Sequence, residues 1–212
     1  MKSIDDKAIS YWNDIHKSYE RDQIVYDDWL VKFDNIIMAC KKPILDLGCG
    51  SGNDTKYLID KGKAVISCDR SLNAIQNIIK NFPEVVDTKV FDMAEAMPFE
   101  DNSFEVVIAD LSIHYFKENV TKAILDNIRR ILVPGGHFIL RVNSINDINH
   151  GAGQGEEIEH HLYQNVKSGL KRFFDDEDIK KFFQDFEIIY MREEDMTRYS
   201  MLKKAYTICV RK

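Results

Sequence analysis

The sequence predicts a single α/β domain, a doubly wound, mostly parallel sheet with helices on both faces. Three observations predict it. Short apolar runs bounded by turn residues alternate with amphipathic segments between residues 41 and 142. Three of the ten glycines fall within five positions directly after the first of these runs, in "PILDLGCGSGND". Acidic residues end four of the runs, and in such sheets ligands sit outside the carboxyl ends of the strands.

Residues 1–40 read as an N-terminal helical cap rich in aromatic residues, with Tyr11, Trp12, Tyr19, Tyr26, Trp29 and Phe33. Five strands follow in residues 41–142, at 43–47, 64–68, 87–91, 104–109 and 136–142. Between the first two, "NDTKYLIDKG" reads as a helix stopped by Gly62. Between the next two, Ser71 is placed to cap a helix with Leu72, Ile75 and Ile79 on one face. Val120, Ala123, Ile124, Ile128 and Ile131 give the next helix its period, and Pro134-Gly135-Gly136 is expected to stop it. Residues 143–172 show no clear period and read as an inserted, lid-like segment. Residues 173–212 supply a helix with an acidic first turn, "DDEDIKKFF", and two strands at 186–191 and 205–211, completing seven.

The composition is that of a globular domain, with 44% hydrophobic and 30% charged residues in 212. A net charge of −6 argues against a nucleic-acid partner held mainly by its phosphates. The cysteines, Cys40, Cys49, Cys68 and Cys209, are scattered and read as buried free thiols. No signal-peptide core and no run approaching membrane-spanning length is present, so no membrane partner and a cytoplasmic location are expected.

The glycine turn is a site for close backbone approach. Asp69 lies where a carboxylate takes the hydroxyls of a ribose in dinucleotide-binding turns. A nicotinamide cofactor is disfavoured, because the turn reads G-x-G-x-G and Asp46 beside it would repel a pyrophosphate. A carboxylate there suits a ligand bearing an ammonium or sulfonium instead.

"ILDLGCGSGNDTKYL" resembles the first motif of the class I S-adenosylmethionine-dependent methyltransferases. "VISCDRSLNAI", "FDMAEAMPFEDNSFEVVIADLSIHYF" and "ILVPGGHFILRV" resemble the later motifs in order. The resemblance implies a Rossmann-like seven-stranded sheet whose last strand is antiparallel and inserted between the fifth and sixth. It implies S-adenosyl-L-methionine as cofactor. Gly48, Cys49, Gly50 and Ser51 would wrap its methionine portion, with Asp46 near the ammonium. Asp69, with Arg70 beside it, would take the ribose, Asp92 and Met93 the adenine, and Asp110 and Leu111 would border the reacting methyl.

The segment after the fourth strand faces the methyl in this family, which makes His114 and Tyr115 the candidate catalytic residues. The [DN]-P-P-[YF] element of methyltransferases acting on base amino groups is absent: Asp110-Leu111-Ser112-Ile113 stands there. A small-molecule methyl acceptor is therefore expected, and no nucleic acid. A protein that binds the cofactor without transferring the methyl, as a sensor or interaction module, would read the same way. No metal is expected: His160 and His161 are adjacent and should point apart. Residues 149–163 are expected to form a mobile lid on Gly151, Gly153 and Gly155. If Glu156, Glu157 and Glu159 turn inward, they would favour a cationic or amine-bearing acceptor.

Overall fold

The computed structural model describes residues 23–165 and 169–212. The expected cap falls largely on residues 1–22, with Tyr11, Trp12 and Tyr19, which lie outside the described residues, as do residues 166–168. After a 3-10 turn at Asp28–Phe33 come α1 (Asp34–Ala39), β1 (Ile44–Leu47), α2 (Asn53–Asp60), β2 (Val65–Asp69) and α3 (Leu72–Asn81). Then follow β3 (Asp87–Val90), β4 (Phe104–Asp110), α4 (Glu118–Ile131) and β5 (Leu132–Asn143). The last part of the chain forms β6 (Glu156–Glu159), β7 (Leu162–Asn165), β8 (Gly169–Arg172), α5 (Asp176–Phe182), β9 (Glu187–Met196) and β10 (Lys203–Arg211).

Seven strands form one sheet in the order β3-β2-β1-β4-β5-β10-β9. β1 through β5 pair in parallel, and β10 runs antiparallel between β5 and β9. The final strand thus enters between the fifth and sixth of the sheet, as expected. Strand order reverses between β1 and β4, which opens a crevice at their carboxyl ends.

The period-2 alternation of the strands divides the core between the two faces. Leu45, Leu47, Val107, Ala109, Phe138, Leu140 and Val142 pack on α4 and α5 through Ile124, Ile128, Ile179 and Phe182. Ile44, Val65, Val106, Ile108 and Ile139 face the other way, onto Trp29, Phe33 and Ile37 and onto Tyr57 and Leu58 of α2. The described part of the N-terminal segment is therefore a layer of the core.

Two expectations are corrected. α4 ends at Ile131, before Pro134, because Leu132 already takes extended backbone and starts β5. The residue before a proline avoids the helical region, so the stop acts upstream of the ring. Residues 156–165 and 169–172 are also not irregular: β6, β7 and β8 form a second, three-stranded antiparallel sheet. Their sequences, "EEIE", "LYQN" and "GLKR", carry too few apolar residues to show a period. The small sheet is held against the large one by backbone bonds from Arg172 N to His114 O at 2.7 Å and from Phe174 N to Asn143 O at 2.8 Å. No helix among the described residues is long and apolar enough to cross a membrane.

α5 begins in a capping box. The Asp175 carboxylate accepts from Asp178 N at 2.8 Å, and the Asp178 carboxylate accepts from Asp175 N at 3.3 Å. Asp175→Ala leaves a helix donor unsatisfied and should lower unfolding stability by about 1 kcal/mol in urea titrations.

Candidate functional site

A cavity of about 580 Å³ opens at the carboxyl ends of β1, β2, β4 and β5 and is roofed by β8 and the segment before β10. That volume suits a cofactor or other drug-sized ligand. Its lining includes Asp46, Gly48, Cys49, Gly50, Ser51, Asp69, Arg70, Asp92, Met93, Asp110, Leu111, His114 and Tyr115, so every expected site residue faces one space.

The first half of the cavity is acidic. Gly48 has φ +78°, and a Cβ added there would lie 2.4 Å from Ser112 Cβ, so only glycine lets the β1 turn pass this close to the post-β4 loop. Asp46 is fully buried and accepts from Thr55 Oγ1 at 2.6 Å. Burial pushes its carboxyl up to about 7, with Thr55 opposing and the Asp110 and Asp69 charges adding to the rise. Asp69 accepts from the backbone of Gly50 at 2.9 Å and of Ser71 at 2.8 Å, which fixes the carboxylate at the lip of β2. Asp92 accepts from Ala94 N at 2.9 Å and lies 3.3 Å from an Arg70 guanidinium nitrogen.

The floor is an ionic lattice that bears on one expected residue. Asp110 is placed beside the cavity, but its carboxylate is occupied: Arg141 grips it at 2.7 and 2.8 Å and Arg198 at 2.7 Å. Burial alone would raise Asp110, but these guanidiniums outweigh it and hold the carboxyl well below the usual range. Arg141 also donates to Asp27 at 2.6 Å and lies over the Trp29 ring. Leu111 follows in the left-handed region at φ +51°, unusual for a branched residue, with its N–H bonded to Arg141 O.

The second half is cationic, and sequence reasoning missed most of it. Lys171 on β8, Lys203 at the start of β10, and Asn143 at the end of β5 join His114 and Tyr115. His114 is buried, and neither ring nitrogen has a partner among the described residues. Burial, with the Lys171 and Lys203 charges, holds it well below the usual histidine range, so the ring is neutral. Burial and Lys203 lower Lys171 to about 8, with Asp147 opposing. Asn143 repeats the signal of the four aspartates, a polar residue ending a buried strand, and Arg141 is a charge inside an apolar strand. Both were findable. Lys171 carried no such mark.

Glu156, Glu157 and Glu159 do not line the cavity. Glu159 instead accepts from Arg172 at 2.5 Å and from Glu118 N at 2.8 Å, so the acids supply no pull on a cationic acceptor. The histidine pair also differs from expectation. His161 sits at φ +56°, which turns its ring onto that of His160, with centroids 3.8 Å apart. Ligand atoms of His160, His161, Asp175 and Asp178 lie within 4.8 Å of one another, outside the cavity.

Residues 45–140 match the family described as "Methyltransferase domain". Together with the seven-stranded fold, this match supports a class I S-adenosylmethionine-dependent methyltransferase. It is 32% identical over 107 residues to an uncharacterized methyltransferase of Synechocystis sp., covering 50% of each chain. It is 36% identical over 97 residues to the human mitochondrial protein named arginine-hydroxylase NDUFAF5, covering 45% of this chain and 27% of that one. The chain thus spans half or less of these curated relatives. Its fold matches that of the 1,6-didemethyltoxoflavin-N1-methyltransferase of Burkholderia thailandensis, at TM-score 0.65, 18% identity, and coverage of 100% and 91%.

The residues present fit the cofactor of this family. A glycine cradle, a carboxylate at the end of β2 and a second just after β3 would suit the methionine portion, ribose and adenine in turn. If Asp69 holds the ribose, Asp69→Ala should weaken S-adenosylhomocysteine binding by about 10- to 150-fold in calorimetry, the cost of hydrogen bonds to a charged acceptor. If Asp46 faces the ligand ammonium, it makes the affinity depend on pH. With its carboxyl raised to about 7, it is partly protonated in the free protein, and a ligand ammonium favours the ionised form. Binding should therefore release a proton, and affinity should rise with pH by up to about tenfold per unit below 7, then level off. Calorimetry across pH, in buffers of differing ionisation enthalpy, checks both.

Proposed function

We propose that the protein transfers the methyl group of S-adenosylmethionine to a small-molecule acceptor bound in the second half of the same cavity. One observation carries this reading: the acidic groups and the cationic groups line one continuous cavity, which Leu111 and His114 also line. Gly48 and its neighbours would hold the methionine portion, Asp46 its ammonium, Asp69 the ribose, and Asp92 and Met93 the adenine. The sulfonium then supplies an activated methyl, and this chain's task is to bring a nucleophile into line with it.

In the transfer, the acceptor's nucleophile forms a bond to the methyl carbon as the carbon–sulfur bond breaks. The bonding pair stays on sulfur and leaves a neutral thioether. Where the nucleophile carries a proton, His114 is positioned to take it, because its neutral ring has a bare nitrogen and is buried against the cavity. Tyr115, packed 4.2 Å from the His114 ring, would border the acceptor.

The name of the human relative describes a hydroxylation of arginine. Lys171 and Lys203 weigh against a guanidinium guest here, because like charges repel most strongly in a buried site. The four cysteines are all buried free thiols, which supports a reducing compartment and our placement of the protein in the cytoplasm.

The test is formation of S-adenosylhomocysteine from S-adenosylmethionine across a metabolite panel. Turnover with at least one small molecule supports the proposal, and cofactor binding without turnover on any would favour the silent sensor. His114→Ala should lower kcat by about 10²-fold or more on an acceptor whose nucleophile is protonated, with S-adenosylhomocysteine affinity unchanged.

A further inference from the structure

The acceptor half contains a cation with no counterion. Lys203 donates to Asp147 at 2.7 Å and Arg198 to Asp110 at 2.7 Å, so each of these charges is matched. Lys171 donates only to the carbonyl oxygen of His150, at 2.8 Å, and no carboxylate among the described residues pairs with it. The side chain is nonetheless half-buried and lines the cavity, and Asp147, whose charge favours the ammonium, is already bonded by Lys203. An unpaired buried charge is costly unless something supplies the opposite charge.

Two further groups wait beside it. The Asn143 side chain is fully buried, and its Oδ1 accepts from Lys203 at 2.7 Å. That bond fixes the amide's orientation, so Nδ2 is a donor, and it has no partner among the described residues. His114 adds two ring nitrogens without a partner among the described residues, one a donor in the neutral ring. The acceptor half therefore offers an uncompensated ammonium, an unused amide donor and an unused imidazole, but no carboxylate to receive a cation. A sulfonium bound next door adds more positive charge.

Resting on the methyltransferase reading above, we infer that the acceptor is an anion, anchored by a carboxylate or phosphate oxyanion on Lys171 Nζ and Asn143 Nδ2. The oxyanion completes the charge balance of the half-cavity and satisfies the buried amide. It also raises the proton affinity of the adjacent His114, so the ring becomes a competent base only when the proper acceptor is present. A neutral or cationic analogue gains neither effect.

The experiment uses the full chain loaded with S-adenosylhomocysteine, titrated with benzoate, phenyl phosphate, benzamide and benzylamine. Benzoate or phenyl phosphate should bind at least about tenfold more tightly than benzamide, as a charge-assisted bond in a buried site implies, and the stronger of the two identifies the oxyanion. Lys171→Met should erase that preference while S-adenosylhomocysteine affinity stays within about twofold, and Lys171→Arg should keep part of it. The retained cofactor affinity shows that each variant is folded. Benzamide or benzylamine binding as well as both anions, or a preference that survives in Lys171→Met, would overturn the inference. Failure of the wild-type protein to bind S-adenosylhomocysteine at all would overturn the methyltransferase reading and this one with it.

Discussion

Two arginines and two aspartates hold the floor of the cavity together. Arg141 is 2% exposed and would be an expensive intrusion into an apolar strand without partners. It has them on both sides: Asp110 at the end of β4 and Asp27 ahead of the first 3-10 turn. Arg198, from the segment before β10, closes the set on Asp110. Removing one member would strand a buried charge, at about 3–5 kcal/mol. Four distant parts of the chain are thereby fixed relative to the β1 turn, and the shape of the cavity follows from that. The lattice also neutralises itself. Asp110 and Arg198 border the cavity yet lend it little net charge, so the remaining ionisable groups set its two characters.

Those characters divide cleanly. On the β1 and β2 side, Asp46 and Asp69 face a ligand with carboxylates, one held by a buried threonine and the other by backbone amides. On the β5 and β8 side, Lys171, Asn143 and His114 face it with donors. A cofactor that carries an ammonium, a ribose and a sulfonium suits the first side. Its positive centre, held beside the second, would attract an anionic nucleophile without any further device. The small sheet matters here because β8 brings Lys171 over the cavity, and the bond from Arg172 N to His114 O ties that strand to the loop after β4. The bond lies at the end of the inserted segment 143–172, beyond the stretch 149–163 expected to be a mobile lid.

The parallel sheet and the cofactor side could be read from residues 41–142 because their signals are local. An apolar run, a glycine turn and a terminal aspartate need no knowledge of distant chain, and in this topology every strand end converges on one crevice. Asp46, Asp69 and Asp92 were found that way. Asp110 also lines the cavity, with Arg141 and Arg198 on its carboxylate, partners that residue spacing did not show. The acceptor side resisted because its residues come from elements with weak patterns. Lys171 stands in a four-residue strand with no apolar face, and Lys203 precedes the strand expected at 205–211. The same weakness hid the sheet of β6, β7 and β8. The left-handed turn at His161, which stacks the two histidines, is likewise invisible to residue spacing.

The central claim is that one cavity holds the cofactor on its acidic side and leaves the cationic side for the acceptor. A structure of the complex with S-adenosylhomocysteine tests it most directly. The ribose hydroxyls should lie on Asp69, the adenine beside Asp92 and Met93, and the sulfur next to Leu111, with Lys171 and Asn143 free of the cofactor. A complex with the ribose away from Asp69, or with the methionine carboxylate on Lys171 and Asn143, would contradict it.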